Sequence, residues 1–130
     1  MWQHGPALIT ALTMLLLVGA TMAVGRARGL YKIDAPHTTG HPDFERAFRA
    51  QANTLESTLL FLPCLWLFSI YLSPQWATIL GALWLAGRVW YLVGYMRAAA
   101  ARSGGFLVGA LAGMVLLGGA LYGIVMAMLK

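Results

Sequence analysis

The chain has 130 residues, of which 60% are hydrophobic and 10% charged, with a mean hydropathy of +0.73. A soluble domain normally carries about 25% charged residues, so the composition excludes an ordinary water-soluble protein and points to an integral membrane protein. The net charge of +5 would suggest nucleic acid in a soluble chain; here the basic residues gather at the ends of apolar runs, where charge reports topology.

Four stretches reach the roughly 20 apolar residues that a membrane helix needs. They run over about 5–25, 50–72, 76–97 and 105–129. The expected fold is an all-α membrane protein, a four-transmembrane-helix bundle forming a single domain over 1–130, with no room for a soluble domain. The opening M-W-Q-H-G-P lacks the basic n-region of a cleavable signal peptide, so the first span is expected to be retained. Cys64 is the only cysteine, which excludes an internal disulfide. It lies in the second span and reads as a small packing residue.

The first span runs into G-R-A-R-G and Leu30-Tyr31-Lys32. In the loop that follows, Pro36 and Pro42 stop a continuing helix and Gly40 permits a tight turn. Asp43 is the expected N-cap of the second helix, with Glu45 and Arg46 in its first turns. That helix begins ahead of the membrane, enters it near Arg49, and is expected to kink at Pro63. Ser73 closes it, and Pro74 suits the start of the third helix. Trp76, Trp84, Trp90, Tyr91 and Tyr95 make the third helix aromatic, as an interfacial belt would. Ser103-Gly104-Gly105 separates it from the fourth, where Gly109 and Gly113 form a G-x-x-x-G pair expected to allow close helix contact.

Arg26, Arg28, Lys32, Arg46 and Arg49 surround the first connection, and Arg88, Arg97 and Arg102 lie at or near the third. Only Lys130 belongs to the other side. The positive-inside rule then places the first and third connections in the cytoplasm and both termini on the opposite side.

Two polar faces interrupt this apolar background. Arg49, Asn53 and Glu56 are four and three residues apart and share one face of the second helix. A charge at mid-membrane costs about 2.5–3.5 kcal/mol, so such a stripe holds a polar ligand, a proton path or a buried contact between helices. Arg88, Tyr91, Tyr95 and Arg102 make a second stripe on the third helix, with Arg97 on the opposite side. Gly94 would admit a close neighbour. Guanidinium forks suit carboxylates, Glu56 suits an ammonium or an arginine, and the tyrosines give flat surface with hydroxyl tips. Together they suit a small zwitterion with excess negative charge. They do not suit a metal, which would need a His or Cys cluster. They do not suit a serine or cysteine nucleophile either, because no histidine lies near to act as base.

F-E-R followed by R-A-Q-A-N-T-L-E resembles the second-helix signature of the MAPEG proteins (membrane-associated proteins in eicosanoid and glutathione metabolism). Gly87 to Tyr95, G-R-V-W-Y-L-V-G-Y, resembles their third-helix signature, and the spacing and the T-T-G of the first loop also fit. Within the family, the G-R-x-x-Y-x-x-G-Y pattern looks nearest to the leukotriene-forming and microsomal glutathione transferase branches. The resemblance implies a homotrimer with glutathione as co-substrate, bound between adjacent subunits near the cytoplasmic face, and no metal. It implies that Arg49, Asn53 and Glu56 hold the peptide's polar ends. Gln51 matches a contact position on another surface of the helix, Tyr91 and Tyr95 match ligand-contacting tyrosines, and Arg28 and Arg88 match basic positions around the site. Arg102 matches the arginine that activates the thiol, an alignment carried by its spacing from Tyr95. Ser57 stands where leukotriene-forming members carry a tyrosine.

The implied activity is a glutathione-dependent transferase or peroxidase acting on hydrophobic or lipid electrophiles that arrive through membrane lipid. The setting would be the inner membrane of a bacterium or the endoplasmic reticulum of a eukaryote. The alternative is a non-catalytic lipid-binding scaffold of the same fold. A small multidrug exporter also has four helices and an intramembrane glutamate, but carries it in the first helix and shows little charge bias. For Arg49 and Glu56, the plainer reading is an ion pair that fixes packing.

Overall fold

Proline and capping chemistry start each long helix where the apolar runs require it. A computed structural model describes residues 1–130, apart from the Ala99 side chain. Helix α1 (Gly5–Tyr31) has Pro6 in its first turn and ends at Lys32, a left-handed residue with φ 55° whose N–H caps the Arg28 carbonyl. Helix α2 spans Pro42–Tyr71, α3 Pro74–Arg97 and α4 Ser103–Met128. Ser73 Oγ accepts the Trp76 N–H at 3.2 Å, so α3 has a capped start with Pro74 in its first turn.

The N-cap of α2 differs from expectation. It is His41, whose Nδ1 accepts the Asp43 N–H at 3.1 Å, with Pro42 as the first helical residue. Proline has no N–H to leave unsatisfied there, so the helix starts before Asp43. The Asp43 carboxylate instead accepts from the Tyr31 hydroxyl at 3.0 Å and pairs with Arg46. The His41 ring stacks on Tyr31 at 3.8 Å. These contacts tie the end of α1 to the start of α2. Helix α2 continues through Pro63 to Tyr71, although that proline offers no N–H to the preceding turn.

All four helices are long and apolar enough to cross a membrane, and no strand occurs among the described residues. Helices α2 and α3 pack against each other, and each also touches α1 and α4. The start of α1 lies beside the start of α3, where Gly5 meets Thr78, and Gly123 of α4 meets Tyr71. The helices therefore alternate in direction, with the first and third connections at one end.

At mid-bundle, Phe61 stacks on Trp84 at 3.7 Å and 3°, beside Leu65, Phe68 and Leu116. Leucines such as Leu59, Leu60, Leu83 and Leu111 point outward, with Leu60 76% exposed. A surface of that kind suits lipid or other subunits rather than water.

In lipid, helices associate through close packing rather than hydrophobic transfer. The tightest approach of α3 to α4 lies one turn from the place expected. A Cβ on Gly105 would overlap the Tyr91 N and stand 2.6 Å from the Gly87 carbonyl oxygen, and one on Gly87 would stand 2.8 Å from the Gly109 N. Gly113 meets only Trp84, at 3.9 Å, and opens onto a groove. The contact thus centres on Gly87 against Gly105 and Gly109, leaving Gly113 as space.

Candidate functional site

Arg88 is the largest charged group taken out of solvent. It is 2% exposed, on α3, facing α2. Its Nη2 donates to Asn53 Oδ1 at 2.9 Å and to Thr54 Oγ1 at 2.8 Å. Its guanidinium carbon lies 4.0 Å from the centre of the Tyr91 ring. Burying a charge is costly unless hydrogen bonds compensate, and these contacts hold α2 and α3 in register. Because Arg88 occupies the Asn53 carbonyl oxygen, the Asn53 amide is left to donate elsewhere.

Asn53 faces a cleft of about 360 Å³ at the end of the bundle that carries the first and third connections. The cleft is lined by Arg49, Asn53, Tyr91, Tyr95, Arg102 and Phe106. No carboxylate contributes to the lining. The Tyr91 and Tyr95 rings lie 5.5 Å apart, and the Arg102 guanidinium sits 5.2 Å over Tyr95. The only ion pair among the described residues is Arg46 with Asp43. Arg49 and Arg102 are therefore uncompensated cations beside hydroxyl and amide donors. Such a lining suits a small molecule with carboxylates. The plainer reading of Arg49 and Glu56, an ion pair that fixes packing, finds no support, since the two do not pair.

Arg102 reaches the cleft by a route that helical spacing does not describe. Helix α3 stops at Arg97, Ala98 is extended (φ −160°, ψ 139°), and Arg102 closes a short 3-10 turn, Ala99–Arg102. Gly94 lets this turn fold back onto α3, since a Cβ there would overlap the Ala101 carbonyl oxygen. The close neighbour of Gly94 is thus the turn that carries Arg102, rather than a helix or a ligand.

A second cavity, about 320 Å³ and mostly apolar, runs down the bundle between α2 and α4 with α3 as its floor. Leu60 and Cys64 line it from α2, Trp84 and Arg88 from α3, and Phe106 and Gly113 from α4. Phe106 belongs to both cavities, so the polar cleft and the apolar groove adjoin there. Ser57 also faces the groove, and Cys64 packs partly buried against the mid-bundle core.

A comparison with protein families decides the membership. The model of the MAPEG family matches residues 6–122. The chain belongs to the MAPEG family. An uncharacterized Synechocystis protein is 53% identical over 119 residues, 92% of this chain and 87% of that one. Human microsomal glutathione S-transferase 2 is 43% identical over 99 residues, covering 75% of this chain and 67% of the relative. Leukotriene C4 synthase of Cavia porcellus is 40% identical over 96 residues, 74% of this chain and 64% of that enzyme. The match thus spans a little under two thirds of the synthase.

Of the residues that the MAPEG resemblance singles out, Arg49, Asn53, Tyr91, Tyr95 and Arg102 line one cleft, and Arg88 stands behind Asn53. Three lie elsewhere. Glu56 is exposed, three residues beyond Asn53 on α2 and outside the cleft lining. The Gln51 amide donates to Thr21 Oγ1 on α1 at 2.9 Å. Arg28 donates to the Ile33 and His37 carbonyls of the first connection, at 3.3 and 2.8 Å, with its guanidinium 4.9 Å over Phe44. Sequence reasoning passed over Thr54 and Phe106. Thr54 adjoins Asn53 within the motif and lies on the side facing Arg88, a usable signal. Phe106 is one apolar residue in an apolar helix, and nothing in the pattern marks it.

Proposed function

We propose that this chain is a membrane glutathione S-transferase whose site is completed between subunits of a homotrimer. One observation carries this reading: a donor-rich cleft without acids, holding two uncompensated guanidinium groups, opens onto an apolar groove. Glutathione brings two carboxylates, one ammonium and a thiol. Arg49 and the Asn53 amide take carboxylate, and Tyr91 and Tyr95 supply flat contact and hydroxyls. Glu56, Gln51 and Arg28 lie on surfaces that a neighbouring subunit can meet. Glu56 then takes the ammonium, while Gln51 and Arg28 reach the next subunit's ligand. The names of the human and Cavia porcellus relatives support the same chemistry.

Arg102 is the residue assigned to the thiol. A free thiol has a pKa of about 8.5, and an adjacent guanidinium stabilises the thiolate and lowers that value. The groove delivers a hydrophobic electrophile from the bilayer to the cleft at Phe106. Rate comes from proximity and thiolate stabilisation, with no covalent enzyme intermediate. The same thiolate attacking a lipid hydroperoxide would break the O–O bond to give the alcohol and a glutathione sulfenic acid, which a second glutathione would convert to the disulfide and water. The basic residues of the first and third connections support a cytoplasmic position for the cleft.

The test uses protein purified in detergent, with calorimetric titration of glutathione and conjugation to 1-chloro-2,4-dinitrobenzene. Binding and turnover are expected together. No binding at millimolar glutathione overturns the reading, and binding of lipid without turnover favours the scaffold.

A further inference from the structure

Arg88 makes fewer contacts than a purely structural buried arginine should. It is 2% exposed, yet only its Nη2 donates to side-chain acceptors, Asn53 and Thr54. Its Nε is buried without a protein acceptor, one of two such side-chain atoms among the described residues. An unsatisfied buried donor costs about 1–3 kcal/mol, and more on a charged group. No carboxylate pairs with Arg88 among the described residues. The cation therefore keeps donor capacity in a low-dielectric setting, where a hydrogen bond to developing charge is strongest.

Position says what that capacity faces. Arg88 lines the apolar groove, while its partner Asn53 lines the polar cleft. Its guanidinium thus bridges a residue of the cleft to the groove that it lines itself. Beside it the groove wall is glycine: a Cβ on Gly109 would lie 3.4 Å from Arg88 Cδ and 3.8 Å from Trp84 Cδ1. Space is thus kept beside the Arg88 side chain, on the side from which an apolar molecule approaches.

We propose that Arg88 donates to an oxygen of the hydrophobic electrophile, so that the site favours substrates whose reaction places negative charge on oxygen. This rests on the glutathione transferase reading above and adds a substrate class to it. With an α,β-unsaturated aldehyde, the thiolate attacks the β-carbon and a C–S bond forms. The C=C pair shifts toward the carbonyl and yields an enolate oxygen, which Arg88 holds. Water then protonates the enolate at the α-carbon. That proton replaces the one the thiol released, and nothing is oxidised or reduced. Arg88 keeps its own protons throughout, since guanidinium does not give them up near neutral pH.

The experiment compares two electrophiles on the same purified protein. Trans-2-nonenal develops an oxyanion on thiolate attack; benzyl chloride expels chloride and does not. Wild type is expected to turn over both. Removing one oxyanion donor costs about 10²–10³ in rate, so Arg88→Met should lower the ratio of nonenal to benzyl chloride turnover by about 100-fold. A parallel fall of both rates, an unchanged ratio, or wild type inactive on nonenal overturns the proposal. If Arg88→Met does not fold, Gly109→Ala decides. Its methyl stands in contact range of Arg88 and narrows the space beside the donor, so the ratio should fall about tenfold; an unchanged ratio overturns the proposal. Failure of wild type to bind glutathione or to conjugate benzyl chloride would instead defeat the transferase reading itself.

Discussion

Replacing Gly94 with alanine isolates the contribution of Arg102 without touching Arg102. The added Cβ would overlap the Ala101 carbonyl oxygen and stand 3.1 Å from its carbon and 3.5 Å from its Cβ. Ala101 directly precedes Arg102 in the turn Ala99–Arg102. Restoring ordinary contact lifts that turn by about 1 Å and carries the guanidinium with it, away from its place 5.2 Å over Tyr95. A displacement of that size at a reacting group costs about 100-fold in rate, equivalent to about 2.7 kcal/mol of transition-state stabilisation. The fold should suffer less. Overpacking costs about 1–3 kcal/mol, and alanine recovers about 1 kcal/mol over glycine within a helix. The assay is conjugation of the aryl halide alongside thermal unfolding in the same detergent. Gly118→Ala serves as control, since a Cβ there meets nothing within 4 Å. A folded Gly94→Ala protein with wild-type rate would refute the role given to Arg102 and its turn.

Three further outcomes follow from the geometry. Gly105→Ala forces α3 from α4 at the Tyr91 N and the Gly87 carbonyl, and thermal unfolding should show a loss of about 1–3 kcal/mol. Thr54→Val preserves shape but removes an acceptor of the buried Arg88 Nη2; the charged donor left short should cost about 1.5–3 kcal/mol by the same measurement. For topology, single cysteines are placed at Asp34 or Lys130 in a Cys64→Ser background. An impermeant maleimide added to intact cells should label the Lys130→Cys protein and spare Asp34→Cys, and the reverse pattern would invert the bundle.

Much of the bundle could be read from the chain because membrane helices obey length and hydropathy before anything else. The four apolar runs became α1 to α4. The helical spacings that join Arg49 to Asn53, and Arg88 to Tyr91 and Tyr95, also held, since each set lies within one continuous helix. Reading failed where the backbone leaves helical geometry. Arg102 was projected along α3, yet Ala98 ends that helix and a folded-back turn delivers the side chain instead. Asp43 looked like the cap of α2, but proline at position 42 moved the start two residues earlier and gave the cap to His41. The G-x-x-x-G pair marked close packing one turn away from the place where Gly87 and Gly105 meet, because residue type alone does not say which side of α4 meets α3. The groove beside Phe106 is a product of tertiary packing and left no trace in periodicity. Arg28 and Gln51 could be named from the motif, but their contacts with the first connection and with Thr21 of α1 come from tertiary packing.

The most direct measurement is the acid–base titration of glutathione's thiol on the purified protein, followed by thiolate absorbance, in wild type and in Arg102→Gln. Bound to wild type, the thiol should titrate well below the free value of about 8.5, and conjugation rate should rise with pH along the same curve. In Arg102→Gln the titration should move back toward the free value while glutathione still binds through Arg49, Asn53 and the tyrosines. An unshifted thiol in wild type, or the same lowered value in both proteins, would contradict the assignment of thiolate stabilisation to Arg102.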